Sequence, residues 1–328
     1  HSGGIYQSSF ELGISSNDPN TIIYYTLDGS DPDPLNINGK TYEYKNELFG
    51  GMLNDQINTY IYSSSITIED RSNFPNKISN KSSSFIRNSN NFYFPNQPVS
   101  KGTVVKAIAY KPNALSEVGV NSYFIFENNN KYSLPITSIS LDEDKLFDYF
   151  KGFYTPGVLC ASADECATGN YSLSTRYSGF FEFFDQGEIK VHRPVELAIN
   201  GGCTRAFPRK TLRIYGGTDF NYPFFSDYPN RNHRNILLRN SGNNWDIQLF
   251  KDVANQKIMD GLNFGKQESR PSIVFLNGEY WGIHNIRERI DEHYLNELFN
   301  VPKDSLDLIE ISFGASANEG DLSVYQSM

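Results

Sequence analysis

Apolar and polar positions alternate most regularly over residues 272–290, and the rest of the chain can be placed around them. Ser272 to Leu276 is an apolar run, Asn277-Gly278 follows it, and Tyr280 to Ile286 alternates aromatic or aliphatic residues with polar ones. Asn-Gly between two such runs predicts a two-residue hairpin, because a type I′ turn needs positive φ at both central positions. Arg287-Glu288-Arg289 then sets three charges where the second strand should give way to a helix. Such a cluster is either a salt-bridged corner or part of a polar site.

N-terminal to this hairpin the pattern is of short strands between turns. Residues 21–27, 103–110 and 118–126 read as strands, with Asp28-Gly29 as a turn and Pro32 and Pro34 excluding regular pairing beyond it. This predicts an all-β, immunoglobulin- or fibronectin-like sandwich over residues 1–130. Residues 36–100 are Asn- and Ser-rich and weakly patterned, so they read as a loop-bearing insertion with one strand at 60–68. Asp28, Ser30, Asp31 and Asp33 do not have EF-hand spacing, and a tight acidic turn is the better reading.

From residue 134 the pattern mixes periods. Residues 134–141, 178–184, 193–199 and 210–215 read as strands, with a Gln186-Gly187 turn between the second and third. Asp142 can cap a helix over 145–150 that ends at Gly152. Leu249, Phe250, Val253, Ala254 and Ile258 fall at helical spacing, predicting an amphipathic helix over 247–260 capped by Asp246. Tyr294, Leu295, Leu298 and Phe299 mark one more. The expectation for 134–328 is an α+β domain.

Composition narrows the function classes. A net charge of −9 over 328 residues argues against nucleic acid as the main partner. No apolar run approaches the ~20 residues of a membrane span. The sequence starts at His1, which suggests a fragment or a processed form. Cys160 and Cys166 flank a short loop and Cys203 stands apart. The near pair forms a local disulfide in an oxidising compartment or stays as two thiols; no ligand spacing supports a zinc site.

The chemistry can be posed from residues alone. Gly201-Gly202-Cys203-Thr204-Arg205 is a glycine-led loop before a strand that begins at Lys210. Backbone N–H groups and an ammonium can surround phosphates, and Arg205 can grip one bidentately. The loop is neither a Walker motif nor GxGxxG, and a solvated strand lysine is the plainer reading. His284 reads as a hairpin-face residue and His293 as a solvated helix residue. No Ser-His-Asp grouping or paired carboxylate can be argued from spacing.

Two resemblances alter that balance. Ile23-Tyr-Tyr-Thr-Leu-Asp-Gly-Ser-Asp-Pro32, Val104 to Tyr110 and Ser122 to Phe126 together resemble the chitobiase/β-hexosaminidase C-terminal-type, fibronectin-III-associated sandwich module. That module implies a spacer or a glycan contact and no catalytic residues. Gly201 to Tyr215, Leu237-Leu-Arg-Asn-Ser-Gly242, Phe250-Lys-Asp252 and Arg270 through Asp291 resemble the spore coat protein H (CotH) kinase family, in that family's order. The similarity covers about 134–325, so 134–328 is expected to be a kinase-like domain, the N-lobe and start of the C-lobe. The family implies phosphate transfer from ATP, with Mg²⁺, to Ser or Thr of extracytoplasmic proteins, in a secreted or cell-surface setting. Some relatives act as adhesins, so a non-catalytic surface protein that binds protein or glycan is the alternative. Carried over by motif, Gly201, Gly202, Arg205 and Lys210 face the nucleotide and Glu288 lies close to its cleft. The helix with Asp252 corresponds to an N-lobe helix, although it begins Lys251-Asp252 where the family has Arg-Asp. The family's catalytic Asn and Asp-x-Asp metal motifs are expected after Met328, which makes the domain incomplete and leaves no metal ligand among these residues.

Overall fold

The computed structural model describes residues 1–46, 51–84, 94–127, 131–160, 168–226, 232–262, 265–311 and 314–328. In chain order the first part holds β1 (Gly4–Tyr6), β2 (Phe10–Leu12), β3 (Ile22–Thr26), β4 (Lys40–Lys45), β5 (Met52–Ile57), β6 (Tyr60–Ile61), β7 (Ile66–Ile68), β8 (Thr103–Lys111), β9 (Ala114–Leu115) and β10 (Gly119–Ile125). The second holds β11 (Ile136–Ser140), α1 (Glu143–Phe147), β12 (Tyr177–Asp185), β13 (Glu188–Asn200), β14 (Thr211–Tyr215), β15 (Asn235–Arg239), α2 (Lys251–Ile258), β16 (Ser269–Leu276), β17 (Glu279–Arg287), α3 (Glu292–Phe299), β18 (Leu308–Ile311), β19 (Ala315–Glu319) and α4 (Ser323–Ser327).

The first part is β-rich. A sheet ordered β1-β10-β8-β3-β6, with β9 on β8, faces the two-stranded β2-β7 pair. Leu12, Ile66 and Ile68 of the pair meet Val105, Tyr123 and Ile125 of the sheet in one core. The strand expected over 60–68 is two strands: β6 pairs with β3 and β7 with β2. The pleat makes the split necessary, because one continuous strand cannot serve two facing sheets.

The second part differs from the α+β expectation. Its centre is a closed barrel, β11-β12-β13-β14-β15-β17-β16, sealed by parallel β11 and β16. Alternate residues fill it: Leu212 and Ile214, Ile236 and Leu238, Val274 and Leu276, and Ile286 all lie in one core. The helices are short and peripheral. α2 contains no buried residue, and Ile258 is 80% exposed. The amphipathic helix expected over 247–260 is therefore shorter, starts after Phe250 rather than Asp246, and does not pack by an apolar face. Asp142 makes no side-chain cap for α1; it pairs with Lys145 and accepts from the Asp31 N–H at 2.7 Å.

The hairpin of β16 and β17 is formed as the pattern predicts. Asn277 and Gly278 have φ of 47° and 82°. The Asn277 side chain accepts from Leu141 N at 3.0 Å and donates to Leu141 O at 2.8 Å. The tip also meets the first part: Gly102 N donates to Gly278 O at 2.8 Å. A β-carbon on Gly278 would sit 2.6 Å from Gly102 O, so only glycine fits there.

The 36–100 segment is more ordered than its composition suggests. β4 and β5 pair as a hairpin, and Tyr42, Ile57 and Ile78 join the barrel core. A buried charge cluster holds it there. Glu143 of α1 takes Lys77, Lys81 and the Tyr42 hydroxyl, and Lys81 also reaches Asp55. Buried ions need such pairing, since an isolated one is costly. A second apolar contact, Phe124 and Phe126 against Phe184, Ile273 and Phe275, joins sandwich to barrel.

The disulfide is not the local one. Cys203 is disulfide-bonded and Cys160 keeps its thiol, so the Cys160–Cys166 pairing considered above does not form. Cys166 lies outside the described residues.

Candidate functional site

Four of the five residues singled out for phosphate binding lie together in the loop before β14. Gly201, at φ 125°, opens a single turn over Cys203–Ala206. Arg205 donates from Nε to Gly201 O and from Nη1 to Ser172 O at 3.1 Å. Lys210 is 0% exposed, and its Nζ donates to the carbonyls of Arg205 at 2.6 Å and Phe207 at 2.8 Å. The Tyr171 and Tyr154 rings lie 4.3 and 5.4 Å from the nitrogen. Burial pushes the amine well below the usual lysine value. Arg205 and Lys210 thus both donate to backbone carbonyls, three of them in the loop itself. Beside them His284 is fully buried; burial, then the Arg209 guanidinium, hold its imidazole down to about 3, so it is neutral.

Glu288 sits elsewhere, just after β17. Its carboxylate accepts from Glu268 N at 2.8 Å, and its carbonyl accepts from Gln267 Nε2 at 2.7 Å. It borders the outer face of the barrel, where a different set of residues converges. Strand alternation puts Leu212, Ile214, Ile236, Leu238 and Ile286 inward, so Arg213, Tyr215, Asn235, Arg239 and Arg287 point outward. Asp252, in the first turn of α2, reaches back to this face. It takes Arg239 Nε at 2.8 Å and the Arg287 guanidinium, which is itself 0% exposed. This ion pair anchors α2 in place of an apolar stripe.

The same outer face carries a pocket of about 550 Å³, lined by Arg176, Glu196, Arg213, Tyr215, Asn235 and Asp291 among others but not by Arg239, Asp252 or Arg287. The Arg176 and Arg213 guanidinium carbons lie 4.0 and 4.3 Å from the Tyr215 ring centre. Burial, then the nearby Arg289, push Arg213 below its usual value. The nearest carboxylate, Asp291, is 3.9 Å from Arg213 and already accepts from His293 N, Tyr294 N and Asn235 Nδ2. Glu196, 3.6 Å from Arg176, and Glu292 also line the pocket, so its three arginines face three carboxylates.

Residues 197–328 match the CotH kinase protein family. Residues 12–123 match the Fn3 associated family, in the order expected from the motifs. No curated protein matches the chain. The CotH segment begins within β13 and carries both the loop with Lys210 and the Arg239–Asp252 pair. In protein kinases a strand lysine is held by a glutamate of the next helix. Among the described residues Lys210 has no carboxylate partner; Arg239, on the strand that leads into α2, has Asp252. Both residues lie in the motifs quoted above, but their pairing appears only once α2 folds back onto the barrel. Among the described residues no three His, Cys, Asp or Glu side chains converge on a metal position, and no helix is long and apolar enough to cross a membrane.

Proposed function

We propose that the CotH segment is the nucleotide-facing part of an atypical protein kinase that transfers phosphate from ATP to Ser or Thr of extracytoplasmic proteins. The observation that carries this reading is the Arg239–Asp252 pair on the barrel's outer face, the face that also carries the 550 Å³ pocket. Phosphoryl transfer relies mostly on positioning and charge stabilisation. Arg239, fixed by Asp252 and 31% exposed, would hold the nucleotide phosphates, with Arg213 as a second donor. Mg²⁺ supplies charge neutralisation in kinases of this type, and none of the described residues is assigned to it. A disulfide at Cys203 supports a secreted or surface setting, since such bonds persist in oxidising compartments.

The test is labelled-ATP binding, with and without Mg²⁺, followed by phosphate transfer from γ-labelled ATP to secreted proteins. Arg239→Gln should weaken binding about tenfold, the loss of one charge-assisted contact. Lys210→Met should leave affinity within about threefold, less than one neutral hydrogen bond. The reverse order would return the phosphate role to Lys210, and absence of any ATP binding would refute the proposal. A second reading, a non-catalytic surface protein with a kinase-like scaffold, is favoured by the aromatic cleft described next.

A further inference from the structure

The chain has two tryptophans, and both line one cleft of about 590 Å³ between the 36–100 insertion and the barrel. It shares no residue with the pocket on the outer face. We propose that this cleft binds an uncharged saccharide, its sugar faces stacked on Trp245 and Trp281.

The aromatic planes are fixed in advance. The Trp281 indole N–H donates to the buried Tyr154 hydroxyl at 2.9 Å, and its ring packs edge-on to Phe147 and Tyr154 at 6.1 and 5.5 Å. Trp245 lies 6.2 Å from the Phe207 ring. The opposite wall is pinned as well: Ser83 Oγ donates to Pro208 O at 2.7 Å and Ser79 Oγ to Glu279 at 2.7 Å. A rigid, mostly apolar cleft of a few hundred Å³ with few polar groups is the usual form of a small-ligand site.

Charge selects the ligand class. Lys81 is neutralised by Asp55 and Glu143. Arg209 and Asp246 face the cleft, one of each sign, and neither forms an ion pair among the described residues. Among the described residues the cleft therefore carries no net charge to attract a phosphate. What remains is two indole faces for C–H surfaces, a guanidinium donor and a carboxylate acceptor for hydroxyls. Arg209 is held in position by packing on Gly282, where a β-carbon would lie 3.0 Å from its Cζ.

Because both tryptophans line the cleft, intrinsic fluorescence reports occupancy directly. The whole chain is titrated with chitotetraose, cellotetraose, mannotetraose and decaproline to about 10 mM, the weak end of specific binding. At least one sugar should give a saturable change, and Trp245→Ala should weaken it at least about tenfold, as loss of a stacked tryptophan does. Arg209→Gln should weaken it by a smaller factor, and Arg239→Gln should leave it unchanged while reducing ATP binding. No saturable response to any sugar, an equal response in Trp245→Ala and Arg209→Gln, or saturation by decaproline instead would overturn the assignment. Each of those outcomes leaves the ATP result standing on its own.

Discussion

Replacing Lys210 by Met should change stability in a way that depends on pH. The two donated hydrogen bonds, to Arg205 O and Phe207 O, are lost, and both carbonyls stay in a closed loop. Each net bond is worth about 1–1.5 kcal/mol, so the variant should lose roughly 2–3 kcal/mol when the amine is neutral in both states. At lower pH the wild type carries an opposing cost. Burial holds the folded amine well below the usual lysine value, while the unfolded lysine is charged up to about pH 10.4. The unfolded chain then binds one more proton, so this group makes wild-type stability rise with pH above the folded value, by at most about 1.4 kcal/mol per unit. The rise stops near the unfolded value. Met has no proton to lose, and the other titrating groups are common to both proteins. The stability gap between wild type and Lys210→Met should therefore widen between pH 8 and 10, by at most about 1.4 kcal/mol per unit. Urea unfolding at the two pH values measures it. Parallel pH dependence in the two proteins would falsify the buried neutral amine, and with it the closed loop.

Two further outcomes follow from the buried charges. Asp252→Ala removes the carboxylate from Arg287, which is 0% exposed, and should destabilise the barrel by about 3–5 kcal/mol in denaturant unfolding; a loss under 1 kcal/mol would mean that Arg287 is solvated. Glu143→Gln leaves Lys81 with Asp55 alone and weakens the grip on Lys77, so about 3 kcal/mol should be lost and limited proteolysis should cut first within 36–100; an unchanged cleavage pattern would count against the cluster as the anchor.

Short-range chemistry was legible in the sequence and long-range chemistry was not. Asn277-Gly278 announced its turn because a two-residue loop is decided by its own φ preferences. The strands around Tyr24, Ile108 and Ile214 were visible because their alternation is local. β4 and β5 were missed because β5 leaves Met52 and Leu53 exposed and breaks the alternation, and Tyr42 and Ile57 earn their burial from a barrel that begins some 80 residues later. Lys210 was read as the first residue of a strand that in fact begins at Thr211, and its direction depends on two carbonyls and two tyrosines that spacing does not reveal. The Arg239–Asp252 pair spans 13 residues and a change of element, and only the return of α2 onto the barrel brings it together. The helix around Leu249 and Phe250 misled because its apolar spacing is real, while its packing partner is a pair of arginines.

The hairpin tip also sets a timetable for synthesis. Lys77 N and Ser79 N donate to the Glu279 carboxylate across 202 and 200 residues. At about 5–20 residues per second, the insertion leaves the ribosome roughly 10–40 s before the residue that fixes it exists. Through that interval Tyr42, Ile57 and Ile78 have no barrel to cover them. The module cut off at residue 130 would stay in that condition permanently, so it should aggregate alone and dissolve only when the barrel is supplied with it.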